Sequence, residues 1–162
     1  MLVQLKNSAT VWVFQGNQKF DKEQVNNVKT QLKKFIPKWA AHGLSLKADF
    51  EIVKDLFIII GVDEQTTQAS GCSKDALTRE IKMIGDLLEI DFFDRMSIVY
   101  KDDTDSLKLC NMSEFKELLS RGTVTKETIV YNNLVATKQE LLTKWETTVQ
   151  NSWHSNLLIT NV

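Results

Sequence analysis

The sequence predicts an α+β fold: a ferredoxin-like split β-α-β-β-α-β sheet over about residues 10–101, with a C-terminal α/β extension packed on it. Three observations carry this. Two amphipathic helical stretches alternate with strand-like runs in that order. The first and third runs, Val11-Trp12-Val13-Phe14 and Leu56-Phe57-Ile58-Ile59-Ile60, are continuously apolar, as central strands buried on both faces are. The second and fourth, from Lys47 to Val53 and from Met96 to Tyr100, alternate apolar with polar residues, as half-wet edge strands do.

The first strand runs into Gly16-Asn17, a turn pair. Asp21 then caps a helix, Gln24 is placed to bond back to it, and Phe20 can staple onto Val25. Val25, Val28, Leu32, Phe35 and Trp39 share one helical stripe. Pro37 removes a backbone donor and is expected to kink this helix, which should finish near His42-Gly43 with Gly43 as its stop. Ala48, Phe50 and Ile52 point inward from the second strand, and Lys54-Asp55 turns into the third. The second helix is expected from about Ser73 to Glu89, with Leu77, Ile81, Ile84 and Leu88 facing the core.

Beyond residue 101 the character changes. Asp102, Asp103 and Asp105 read as a hairpin turn, because the turn glycine and ligand spacing of a calcium loop are missing. Leu107-Lys108-Leu109-Cys110 is a short strand, and Ser113 opens a helix through Leu119 that stops at Gly122. Thr128-Ile129-Val130-Tyr131 is another strand, and Thr137-Lys138-Gln139-Glu140 is a capping box opening a helix that includes Leu141 and Trp145. The central strands are apolar on both faces, so the face away from the helices needs a cover. Residues 102–162, with Tyr131, Trp145 and Trp153, are expected to supply it; a second copy of the chain, as a homodimer, is the alternative. The division is therefore 1–101 and 102–162, or one domain spanning 1–162.

At 162 residues, 43% hydrophobic and 25% charged, the chain can bury a core and keep a polar surface. Its net charge of −1 encodes no general attraction to nucleic acid or anionic membrane. Trp12 and Phe14 share a strand face as RNA-stacking aromatics do, but Lys22, Lys29 and Lys33 belong to a solvated helix face, so no nucleic-acid partner is expected. No apolar run approaches the roughly 18–20 residues of a membrane span, and no secretory signal opens the chain, so a cytoplasmic location is expected. Cys72 and Cys110 read as free thiols. His42 and His154 stand alone, and neither a metal nor a cofactor is expected.

One stretch points to chemistry: Ala69-Ser70-Gly71-Cys72-Ser73-Lys74-Asp75, which follows a central strand and opens a helix. Unpaired N–H groups and the positive end of the helix dipole there favour a thiolate or a bound anion. As a binding loop it offers Ser70, Gly71 and Ser73, with Glu64 beside it and Arg79 as an anion clamp one turn further on. As a catalytic site it offers Cys72 as nucleophile, helped by His42 or Asp63 as base. The plainer alternatives are a helix cap at Ser73, a turn at Gly71, a packed Cys72, solvated Asp63 and Glu64, and a His42 that bonds helix-end carbonyls. The preferred reading is a non-catalytic module binding a small ligand or a protein partner; the alternative is a small thiol-dependent enzyme.

Several pieces resemble a family of small bacterial proteins that often carry the label "ABC transporter ATPase". They are Val11-Trp12-Val13-Phe14-Gln15, Trp39-Ala40-Ala41-His42-Gly43, Val62-Asp63-Glu64, Ala69-Ser70-Gly71-Cys72-Ser73, Asp94-Arg95-Met96, Tyr131-Asn132-Asn133-Leu134-Val135 and Ser152-Trp153-His154. The label implies ATP hydrolysis, which the residues oppose. None of the glycines at 16, 43, 61, 71, 85 and 122 precedes a lysine, so there is no phosphate loop, and no Leu-Ser-Gly-Gly-Gln occurs. Residues 115–145 are also similar to GYF-like modules, a resemblance that implies proline-rich peptide binding.

Overall fold

The apolar runs resolve into two larger antiparallel sheets and one small hairpin. The computed structural model describes residues 1–64 and 67–158. Strand β1 (Thr10–Gln15) leads to α1 (Lys22–Phe35), whose start is the expected reciprocal cap. Gln24 N–H donates to Asp21 Oδ1 at 2.8 Å, and Asp21 N–H donates to Gln24 Oε1 at 2.9 Å. The helix does not reach His42. It ends at Phe35, and Pro37 sits in a short 3-10 turn, Ile36–Lys38, because the ring leaves no N–H to continue the α-helical ladder. A two-stranded hairpin follows, β2 (Ala40–Ala41) and β3 (Leu44–Ser45). His42 and Gly43 form its turn with φ of 51° and 77°, the left-handed pair that a two-residue hairpin needs.

Strands β4 (Lys47–Val53) and β5 (Phe57–Asp63) come next, then α2 (Gly71–Leu88). The sheet order is β1-β5-β4, both pairings antiparallel, with Val13 opposite Ile59 and Phe50 opposite Ile60. On one face Ile58, Ile60 and Val62 of β5 pack with Val28 and Leu32 of α1 and Leu77, Ile81 and Ile84 of α2. Trp12 lies on this face too, edge-on to Trp39 with ring centroids 6.1 Å apart.

The expected fourth strand does not join this sheet. The segment forms β6 (Ser97–Lys101), which pairs with β7 (Leu107–Asn111) and, through Tyr100 and Val130, with β8 (Ile129–Tyr131). With β9 (Glu146–Thr148) they make a second sheet ordered β7-β6-β8-β9. Two local causes favour this. Asp102 Oδ1 accepts N–H bonds from Thr104 and Ser106 at 2.9 and 3.0 Å, so a tight turn delivers β7 to one edge of β6. Ile98 and Val99 also point to opposite faces and are both buried, so β6 needs a cover on each side. Val99 meets the first sheet; Ile98 meets Phe115 of helix α3 (Met112–Ser120), with Val124 and Val149. The fold is thus mixed α+β, with a three-stranded and a four-stranded antiparallel sheet.

The second face of the first sheet packs against Tyr131 and Trp145, together with Leu141 of α4 (Lys138–Lys144). Phe57 lies 5.2 Å from the Tyr131 ring and 4.9 Å from that of Trp145, and such pairs add roughly 0.5–1.5 kcal/mol each beyond burial. Trp153 does not take part; it packs against the Ile98 and Phe115 cluster. Its place is filled by residues 1–9, which insert Leu2 and Leu5 against Gly61. A Cβ at Gly61 would stand 2.6 Å from Leu5 Cδ1, so the glycine provides the hollow. Lys138 holds the segment in place, its buried Nζ donating to Leu5 O at 2.7 Å and its backbone N–H to Ala9 O at 2.9 Å.

Candidate functional site

The loop singled out in the sequence is a tightly bonded helix cap. Ser70, rather than Ser73, is the N-cap: its Oγ accepts Ser73 N–H at 3.1 Å, and Ser73 Oγ–H donates to Ser70 O at 2.8 Å. Ser73 is buried, and its carbonyl accepts Trp39 Nε1–H at 2.8 Å. Glu64 braces the loop, taking Ala69 N–H at 3.1 Å on one oxygen and Thr10 Oγ–H at 3.0 Å on the other. Asp63 is only 4% exposed and faces Lys47, its register partner, with Nζ and Oδ2 3.7 Å apart.

A shallow cleft of about 680 Å³ opens beside this cap. Ala41, His42 and Leu44 of the small hairpin line one side, and residues 67–72 the other. The fold therefore brings Cys72, His42, Ser70 and Gly71 to one cleft; Asp63, Glu64, Ser73 and Arg79 are not among its lining residues. Cys72 is exposed. Cys110, the other free thiol, is pushed up to about 11 by burial and the neighbouring Glu114 charge. Among the described residues no cluster of three metal-ligating side chains occurs.

A second cleft, of about 620 Å³, lies between the two sheets. Its polar groups are held by a relay of amides. Trp145 Nε1–H donates to Asn133 Oδ1 at 3.0 Å, Asn133 Nδ2–H to Gln15 Oε1 at 2.8 Å, and Gln15 Nε2–H to Ser97 O at 3.1 Å. Both ends of each amide are used, so neither can flip without losing bonds. His154, 2% exposed, lines the cleft with Trp153, on which it stacks at 3.9 Å. Its Nδ1 lies 2.8 Å from Ser152 Oγ, and its Nε2 has no partner among the described residues. Burial lowers the imidazole pKa to about 4, so the ring is neutral at pH 7. Arg95 stands exposed at the same cleft, and its guanidinium has neither ion pair nor hydrogen bond among the described residues. Phe93 and Leu134, 43% and 73% exposed, give it an apolar rim.

Sequence reading placed Trp153 and His154 in a covering tail and did not join Gln15 to Asn133. The available signal was polar amides set at the ends of apolar strands, Gln15 after β1 and Asn133 after β8. No family model matches the chain, and no curated protein or solved structure matches it.

Proposed function

We propose that the protein is a non-catalytic binding module that takes a small ligand or a segment of a protein partner in the cleft between its two sheets. One observation carries this reading: the cleft's amide groups are locked to one another, while His154 Nε2 and the Arg95 guanidinium are left without partners. A largely apolar hollow with a few oriented, unspent polar groups is the usual form of a ligand site. The volume also falls within the roughly 300–1,000 Å³ of such sites. In this reading the first sheet and its helices serve as a ferredoxin-like half whose fourth-strand place borders the ligand. The two free cysteines accord with action in the cytoplasm. The anion-receptive reading of Ser70, Gly71 and Ser73 has less behind it, because the Glu64 carboxylate already occupies Ala69 N–H and would repel an anion there.

The test is a titration of isotopically labelled protein with a fragment library, followed by amide and side-chain shifts. Hits should move Gln15, Arg95, Asn133 and the Trp153 indole together. A library whose hits all map elsewhere, or that has none, overturns the reading. One observation favours a second reading, thiol chemistry at Cys72: His42 lines the same cleft. Alkylation of Cys72 should then be faster than that of a free cysteine at the same pH and should slow in His42→Ala; equal rates in the two proteins remove it.

A further inference from the structure

We infer that the occupant of the inter-sheet cleft is an extended peptide segment that adds to the outer edge of β1 and presents a carboxylate to Arg95. The inference rests on the cleft being the binding site. Val11 N–H donates away from β5, to Ala136 O at 2.9 Å, as part of a bridge between Thr10 and Thr137. Backbone direction alternates along a strand, so the N–H and C=O groups of Val13 and Gln15 point the same way as those of Val11. Among the described residues no strand pairs with this edge past Val11, and the backbone of Val13 has no partner on that side. A fourth strand of the sheet would lie here, whereas β6 pairs along its length with β7 and at Tyr100 with β8.

An unpaired strand edge is a template for another chain, with main-chain bonds giving affinity and alternate side-chain contacts giving selectivity. The edge opens into the cleft that residues 92–95 and 133–134 also line. Pairing with Val13 and Gln15 takes about three residues. Phe93 and Leu134 then meet apolar side chains of the segment.

Charge selects the rest. The charged residues lining the cleft are Asp94 and Arg95. Asp94 Oδ1 is engaged by Met96 N–H at 2.9 Å, while Arg95 is unpaired. A guanidinium with its fork free matches a carboxylate, from a chain end or from an acidic side chain.

The experiment selects a random heptapeptide library, displayed with free C-termini, on the immobilised full-length chain. Peptides should be enriched, and a synthetic copy of an enriched peptide should bind Arg95→Ala about tenfold or more weakly. Methylating alternate backbone nitrogens of that peptide should abolish binding. Loss on C-terminal amidation assigns the carboxylate to the chain end; loss on changing its Asp or Glu to amides assigns it to a side chain. No enrichment over a blank surface overturns the inference. So do enriched peptides that ignore both Arg95→Ala and N-methylation, or a dimer in solution that Leu134→Asp dissolves. If fragments shift Gln15 and Asn133 while no peptide is enriched, the cleft stands as a binding site and only its peptide occupant falls. Arg95 is exposed, so an unchanged thermal melt of the variant excludes a folding defect.

Discussion

Ser152 Oγ lies 2.8 Å from His154 Nδ1, and that contact selects the tautomer of the ring. A hydroxyl has one proton and two acceptor sites. Donating to Val149 O at 3.2 Å, Ser152 Oγ accepts Nδ1–H on one lone pair and His154 N–H, at 3.3 Å, on the other. Nε2 is then a bare acceptor, suited to a ligand N–H or O–H.

Burial gives this ring a pH signature. Its pKa falls from 6.5 in the unfolded chain to about 4 in the fold, so between these values the unfolded chain binds the extra proton. The stability contribution is complete above about pH 6.5 and is lost as pH falls toward 4, on the order of 3 kcal/mol in all. Urea unfolding of the native protein and of His154→Phe should show the native curve losing more stability across that window. Parallel curves would mean that the imidazole titrates normally.

Asn133 is the middle of the amide relay. Asn133→Leu leaves Trp145 Nε1–H and Gln15 Oε1 without their partner and should destabilise by roughly 1–3 kcal/mol in urea unfolding. Asn133→Asp keeps an acceptor for Trp145 but has no N–H for Gln15, and should fall between the two.

Two glycines at opposite ends of α2 should respond with opposite sign. A Cβ at Gly85 would stand 2.5 Å from the backbone oxygen of Ile90, which cannot swing aside because Ile90 N–H is bonded to Gly85 O at 2.9 Å. Gly85→Ala should cost on the order of 2–3 kcal/mol. A Cβ at Gly71 meets nothing, and Gly71→Ala should stabilise by about 0.4–1 kcal/mol. Chemical unfolding of both variants reads the contrast.

The thiols should separate by reactivity. With Cys110 pushed up to about 11 and Cys72 exposed, brief iodoacetamide treatment at neutral pH should add one label, at Cys72. Peptide mapping that finds equal labelling at Cys110 would contradict the burial argument.

What was legible in the sequence was local. Alternation from Lys47 to Val53 matched β4 residue for residue, and the Asp21 and Gln24 cap stood where expected. The partner of β6 was not legible. Alternation identifies a strand, but its neighbour depends on the Asp102 turn and on Val130, thirty residues away. The end of α1 was misplaced because Pro37 was given a kink where it ends the helix, which put His42 in a helix instead of a turn. Cys72 and His42 line one cleft, but His42 comes there from the β2–β3 turn, which the sequence did not reveal. The inter-sheet cleft carried no motif: Asn133 and Gln15 bond across 118 positions, and only the folded sheets bring them together.

The packing around Phe57 also imposes an order on synthesis. The strands of the first sheet have all been translated by Asp63, but Tyr131 and Trp145, which close over Phe57, emerge much later. Until then a nascent chain presents Phe57 and Ile59 bare on one side. Leu2 and Leu5 wait as well, because the lysine that fastens them is Lys138. Residues 1–9 are therefore made well before the lysine that fastens them.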